Sequence, residues 1–374
     1  MTIRPRAADT LVIGGGLVGA AVGWGLASRG ETVTVLDEGD QALRASCGNF
    51  GLVWVQSKGD GMHDYARWTR SSADIWPEFS ERLKEDTGIS TGYHKPGGMH
   101  LCLSEQDLEK TRALCNRMHN VNGAQGYGSE ILDRKQVADM LPGIGPDVVG
   151  GSFGRHDGHA SPLKLLMGLH AGIKARGSHY VSGAAVDKIE RDGGGYSVTT
   201  AKGVYRAGKL VLAAGHGNSA FGPLVGLDIP LRPEKGQILV TERVAPFLSM
   251  PTHVVRQTEE GSILIGDSHE DTGFSTLSTT PIMSQIASRA ARFFPLLKNL
   301  RVVRSWGAVR VLSPDGYPIY QQSETHPGVF SVNCHSGVTL AGAHAMLLAP
   351  MISAGQLAPE FEAFSARRFH GQTH

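Results

Sequence analysis

The chain opens on an unbroken apolar run. Leu11, Val12 and Ile13 show no polar alternation, the pattern of a strand buried on both faces. Gly14 and Gly16 interrupt it, and the small and apolar positions Ala20, Ala21, Val22 and Leu26 then predict a helix that Gly30 stops. A second apolar run, residues 33–36, ends on Asp37. Strand, tight turn, helix, strand and acid follow in the order of a βαβ unit.

Further on, residues 38–62 are rich in Gly, Ser and Asn and lack helical periodicity. Tyr65, Trp68, Ile75, Phe79 and Leu83 predict a helix over 63–86, which Pro77 should kink or divide. Residues 93–103 read as short strands around a Pro-Gly-Gly turn, and 104–141 as helix interrupted by the Gly-rich 123–128. A polar loop over 150–161 leads to Pro162, which opens a helix to about residue 175. Residues 180–190 and 196–200 alternate as strands, 209–214 is a buried strand, and 228–270 holds several strands between Pro, Gly and acidic turns. An amphipathic helix over 281–294, strands over 301–312 and 329–334, and a long apolar helix over 337–352 complete the pattern. There is no internal repeat and no low-complexity linker, so two domains woven from several segments are expected.

Composition narrows the class. A chain of 374 residues is long enough for two domains, and its 41% hydrophobic and 19% charged content is that of a globular protein. A formal net charge of +1 offers no electrostatic case for nucleic acid or an anionic membrane. The cysteines Cys47, Cys102, Cys115 and Cys334 form no metal-binding spacing, so no metal site is expected. Residues 1–10 are too short and polar for a signal peptide, and no apolar run reaches membrane-spanning length. A cytoplasmic enzyme is expected.

Four stretches carry chemistry. In the first, Gly14 permits a sharp turn and Gly16 lets the backbone approach a pyrophosphate. Gly19, helped by Gly23, lets the helix lie close on the sheet, and Asp37 can accept from ribose hydroxyls. The helix N-terminus adds unpaired N–H groups. In the second, the buried strand 209–215 breaks into Ala214-Gly215, a place for a cofactor to cross or simply another core strand. In the third, Arg310 ends an apolar strand before Ser313-Pro314-Asp315-Gly316. A buried guanidinium is costly unless paired, so Arg310 either clamps a substrate carboxylate or meets a resident acid. In the fourth, strand, polar turn and helix recur at 332–339, where His335 and Ser336 either cap the helix or face a cofactor.

Taken together, VIGGGLVG, GNFGLVWVQ, RPEKGQILVTE, WGAVRVLSPDGYPIY and CHSGVTLAGAH resemble the D-amino-acid oxidase superfamily of FAD enzymes across nearly the whole chain. NFGLVWVQ, SPDGYPIY and CHSGVTLA resemble more narrowly the FAD subunits of heteromeric dehydrogenases, the group of opine oxidase, D-hydroxyproline dehydrogenase and hydrogen cyanide synthase. The resemblance implies a mixed α/β fold. In it, a Rossmann-like FAD-binding domain (1–85, 145–225 and 311–374) is interwoven with a substrate domain on a mostly antiparallel sheet (86–144 and 226–310).

It also implies roles. Gly14, Gly16, Val18 and Gly19 would hold the pyrophosphate and Asp37 the adenosine ribose, with Asp where many relatives carry Glu, and Leu17 and Glu38 would also contact the cofactor. Asn49, Phe50 and Gly51 would line the flavin, Val186 the adenine region, and Ala214 and Gly215 the ribityl chain, with Ser46 a further cofactor contact. Gly337, Val338 and Thr339 would face the flavin pyrimidine, and Gly307 and Ser336 would be further cofactor contacts. Arg310 and His335 are the catalytic candidates, with Arg310 on the substrate carboxylate, and His159 and His253 are further candidates for substrate contacts.

Ala308 stands where monomeric sarcosine oxidases tether flavin through Cys, which implies noncovalent FAD. The implied reaction is hydride transfer from the substrate Cα to flavin N5, giving an imine that water hydrolyses. Electrons would leave through partner redox subunits, with a further FMN at a subunit interface and Lys235 as its candidate contact. The alternatives are a self-sufficient glycine- or sarcosine-type oxidase releasing hydrogen peroxide, a flavin-binding scaffold without a substrate, and an NAD-dependent dehydrogenase.

Overall fold

A computed structural model describes residues 6–39, 45–121 and 127–370. The N-terminal apolar run is strand Arg6–Ile13, inside an eight-stranded sheet. Val33–Leu36 and Gly203–Leu212 flank it in parallel, and His179–Val181 and Val329–Asn333 extend the parallel order on either side. Ile319–Gln322 closes one edge antiparallel, and Gly195–Thr200 and Val186–Asp192 continue antiparallel from Gly203–Leu212.

Strand alternation sends the first run into two cores. Val12 joins Leu17, Trp24, Trp76 and Leu169 on one face, and Leu11 and Ile13 join Leu36, Leu210 and Leu212 on the other. Both faces are covered, which is why the run lacks polar positions.

A second body stands on a four-stranded antiparallel sheet of Val255–Gln257, Ser262–Ile265, Arg232–Arg243 and Val302–Leu312. A three-stranded sheet, with Gly150–Gly154 between Gly98–Cys102 and Ser129–Asp133, adjoins it. Met99, Leu132, Val255, Ile263 and Phe293 fill the core they share with helix Thr280–Phe293.

Three expectations are corrected. Helix His63–Thr87 runs undivided through Pro77. Proline removes the donor for the carbonyl four residues back, and Lys95 Nζ takes up that carbonyl, Ala73 O, at 3.1 Å. Residues 104–141 are helices Glu105–Val121 and Arg134–Met140 with strand Ser129–Asp133 between them. The second of these helices starts on a capping box between Asp133 and Gln136. The Gly-rich 123–126 lie outside the described residues. The helix expected from 337 starts only at Ala341. Residues 337–340 form a turn closed by Leu340 N on Ser336 O at 2.9 Å, and tertiary bonds hold it: Trp76 Nε1 reaches the carbonyls of Val338 and Thr339 at 3.1 Å, and Thr339 Oγ1 bridges Trp54 N and Leu52 O.

Candidate cofactor and substrate site

The first βαβ turn is built on backbone proximity. Gly14 has φ 104°, and a Cβ there would lie 2.3 Å from Ala213 O. A Cβ on Gly19 would lie 2.0 Å from Gly14 O, so helix Leu17–Ala27 can lie on the turn only with glycine at that point. Gly16 is the N-cap and offers no side chain, and Ser46 Oγ accepts instead from Leu17 N at 2.9 Å. Asp37, buried at the end of its strand, accepts from Gly15 N at 2.7 Å and Gly39 N at 2.9 Å. The acid therefore braces the turn it was expected to serve.

A cavity of about 780 Å³ runs from this turn to the loop before residue 337. Cofactor pockets span about 300–1,000 Å³. Of the residues singled out from sequence, Gly14, Gly16, Leu17, Val18, Asp37, Glu38, Ser46, Asn49, Val186, Ala214, Gly215, His335 and Gly337 line it. Gly19, Phe50, Gly51, Gly307, Ser336, Val338, Thr339 and Arg310 are not among its walls. Gly19 lies beneath the turn, and Gly51, at φ 95°, backs onto Ala160 O. Gly307 underlies Thr276 O, and Val338 and Thr339 bind the helix His63–Thr87 and the Leu52–Trp54 segment.

Sequence reasoning missed Ala184, Ala185, Ala213, His216, Phe221, Phe274, Thr276, Val309, Val311, Asn333 and Cys334 as walls. Ala213, Asn333 and Cys334 lie inside stretches already singled out and were within reach of that signal. Phe274 and His216 carry no sequence signal, because a loop crossing stacks them edge to face at 5.0 Å. The enclosure fits FAD. Cβ-intolerant glycines cradle one end, the acid stands at the strand terminus, and apolar walls lead to a polar end at His335.

That polar end is dense in charge. Trp306 Nε1 donates to Gly48 O at 3.1 Å, and strand alternation places Arg310 on the same face. The Arg310 guanidinium meets Glu234 Oε1 at 3.1 Å, Asp267 Oδ2 at 3.0 Å and Ser268 O at 2.9 Å, which is the resident-acid arrangement. Burial works to raise the Asp267 carboxyl, but His269 and Arg310 outweigh it and hold it at about 2.

His335 Nδ1 lies 3.2 Å from Ser336 Oγ, which also meets Tyr65 OH at 2.9 Å and Lys58 Nζ at 3.3 Å. Burial drives the His335 pKa well below its ordinary value, and Lys58 and Arg310 push the same way, so the ring is neutral. Burial also raises the Cys334 thiol to about 12, which leaves it a packing group. Asp157, fully buried, pins the segment leading to Lys58. Its carboxylate accepts from Val55 N at 2.5 Å, Gln56 N at 3.2 Å and Gln56 Nε2 at 2.6 Å.

Among the other candidates, His159 stacks on His94 and touches Arg256, and burial lowers it to about 3. His253 stacks on His100 at 4.0 Å, edge-on to Phe293, away from the cavity walls. Lys235 is buried and paired with Glu270 at 3.0 Å, so it presents nothing at a surface to an interface FMN. Among the described residues no His, Cys, Asp and Glu group suits a metal ion, and no helix is long and apolar enough to cross a membrane.

A family model described as DAO, FAD dependent oxidoreductase, matches residues 9–351. An opine oxidase subunit of Agrobacterium tumefaciens (strain Ach5) is 45% identical over 364 residues, covering 97% of this chain and 98% of the relative. The corresponding opine oxidase subunit of Rhizobium meliloti is 43% identical with the same coverage. Among solved structures, glycine oxidase from Geobacillus kaustophilus superposes with a TM-score of 0.89 at 23% identity, covering 96% of this chain and 98% of that one. L-proline dehydrogenase from P. horikoshii superposes with a TM-score of 0.84 at 21% identity, covering 98% of each. These two likenesses establish the fold.

Proposed function

The chain belongs to the DAO family of FAD-dependent oxidoreductases, and from that premise we propose that it oxidises an amine next to a carboxylate, of the opine or imino-acid class, as the FAD subunit of a heteromeric dehydrogenase. The observation that carries this reading is the 45% identity to an opine oxidase subunit across both chains. FAD, held without a covalent tether because Ala308 offers no thiol, supplies a two-electron acceptor. We assign it to segments 1–85, 145–225 and 311–374, and the substrate to 86–144 and 226–310, with strand Gly150–Gly154 going with the sheet it completes.

The protein's part is binding and orientation. Gly14, Gly16 and the Leu17 N-terminus admit the pyrophosphate, and Asp37 takes the ribose while holding the turn. His335, neutral, offers hydrogen bonds to the substrate without adding charge. Arg310 is held by Glu234 and Asp267. The substrate enters as the neutral amine. Its nitrogen lone pair forms the C=N bond as the Cα–H leaves with both electrons, and water then splits the imine into a carbonyl compound and an amine. This needs placement of Cα more than acid–base groups.

Anaerobic mixing of the yellow holoprotein with an opine, hydroxyproline, sarcosine and glycine tests the reading. The oxidised flavin absorbance is expected to disappear fastest with the opine or hydroxyproline. No bleaching by any member sinks the amine reading. Rapid turnover with oxygen by the lone chain, with stoichiometric peroxide, replaces the subunit assignment by a self-sufficient oxidase.

A further inference from the structure

Most cations around the polar end of the cavity are matched. Arg310 faces Glu234 and Asp267, Arg289 lies 3.7 Å from Asp267 Oδ1, and Lys235 pairs with Glu270. Two are not matched by a carboxylate within ion-pair distance among the described residues, Arg256 and Lys58. Arg256 is turned inward, with Nε donating to Phe50 O at 2.8 Å and Nη1 3.4 Å from His159 Nδ1. Lys58 Nζ has Ser336 Oγ as its hydrogen-bond partner at 3.3 Å, leaving two of an ammonium's three donors unused.

Lys58 is also held in place. Ser57 before it takes φ 66°, the non-glycine residue with positive φ among those described. Backbone of that kind persists where the surroundings impose it, and it clusters at functional sites. Lys58 N donates to Val55 O at 3.1 Å, Tyr127 OH donates to Lys58 O at 3.1 Å, and Asp157 pins the two residues before Ser57. The hydroxyl that meets the ammonium also meets His335 Nδ1, and His335 is a cavity wall. Lys58 is not itself a cavity wall: one hydroxyl, Ser336 Oγ, links its ammonium to the wall residue His335, its backbone is fixed, and its charge meets no carboxylate within ion-pair distance among the described residues.

We propose that Lys58 receives a carboxylate of the substrate, with Ser336 aiming the ammonium. The assignment rests on the amine-oxidation reading only for what the anion belongs to; anion binding at Lys58 is testable by itself. The groups facing Lys58 set its titration. Burial lowers the ammonium to about 8 and Arg310 pushes the same way, while Asp267 and Asp157 push back. Tyr65 and His335, sharing Ser336 with it, are neutral there. A pKa below the ordinary lysine value means the charge is present below about pH 8 and lost above it, so anion affinity falls as pH rises through that point.

The test uses the FAD-loaded protein and two probes without an oxidisable amine, succinate and its uncharged analogue succinamide, read by perturbation of the flavin spectrum. Lys58→Met is expected to weaken succinate about 30-fold. Succinamide binding, FAD content and melting temperature should stay close to wild type, and Lys58→Arg should restore succinate binding. Wild type is expected to lose succinate affinity about tenfold per pH unit above pH 8, a measurement that needs no variant. Lys58→Arg should not show this loss, because guanidinium stays charged.

Succinate affinity unchanged in Lys58→Met, an equal loss for succinamide, or a wild type that ignores succinate would each overturn the proposal. Succinate binding that survives Lys58→Met but disappears in Arg256→Met moves the charge to Arg256. Bleaching by amines is read separately on wild type, so failure of the anchor and failure of the amine reading are distinguishable.

Discussion

Gly14→Ala is expected to yield a protein that emerges from desalting without FAD. Two costs add at this position. Its φ of 104° is one that side-chain-bearing residues rarely adopt, and such strain costs about 1–3 kcal/mol. The new methyl would lie 2.3 Å from Ala213 O and 2.7 Å from Ala214 Cα, and both are backbone atoms. They cannot turn aside, because Ala213 N is tied to Ile13 O at 2.8 Å and Gly14 N to Leu36 O at 2.8 Å. Overpacking of that kind costs about 1–3 kcal/mol more. The strand ends must separate, and the pyrophosphate cradle separates with them. A loss of FAD affinity of at least about 100-fold follows, with a lower melting temperature. Gly30→Ala is the control, since its φ of 87° carries the backbone strain while its methyl would meet nothing within 4 Å, away from the cavity walls, so it should keep FAD. A Gly14→Ala protein that stays yellow, with affinity equal to wild type, would rule out this account of the turn.

The second large effect is at Asp157. Alanine there leaves Val55 N, Gln56 N and Gln56 Nε2 in the interior without their acceptor. A buried donor stranded in this way costs about 1–3 kcal/mol, so a loss of about 3 kcal/mol or more is expected in denaturant unfolding, with activity lost as the segment carrying Lys58 comes adrift. Asp157→Asn keeps one acceptor and turns an NH2 toward donors, so it falls between alanine and wild type.

The pH dependence gives an independent check. Burial raises the Asp157 carboxyl to about 7 from 3.8, with the hydrogen bonds from Val55 and Gln56 pulling it back. The folded state therefore binds the extra proton, and the stability this group contributes is present below about pH 4 and lost as pH rises through 7. Wild-type melting temperature should decline over that window relative to Asp157→Asn, which has no proton to release. Parallel curves for the two proteins would show that Asp157 does not titrate there.

The nucleotide half of the site was legible because its constraints are local. A strand, three spaced glycines, a helix and an acid must follow one another within thirty residues, so the pattern is written contiguously. The resemblance extended this to Asn49, Val186, Ala214 and Gly337, all of which line the cavity. The polar end was less legible. Arg310 stood out as a cation on an apolar strand, but whether its partner was a substrate or a resident acid depended on Glu234 and Asp267, 76 and 43 residues away. Lys58 gave no signal at all. A lysine in a polar loop reads as solvated until folding places Ser336 against it from 278 residues away.

By itself the sequence determined the order of elements, the glycine-built turn at Gly14–Gly16 and the family, because each is carried by neighbours along the chain. Only tertiary structure decided that helix His63–Thr87 survives Pro77, since the compensating donor is Lys95 from beyond the helix end. It also decided that the last long helix starts only at Ala341, behind a turn that Trp76 ties down through the carbonyls of Val338 and Thr339. And it decided which cations are matched. Pairing of charges depends on distance in space through Coulomb's law and burial, and neither is encoded by position along the chain.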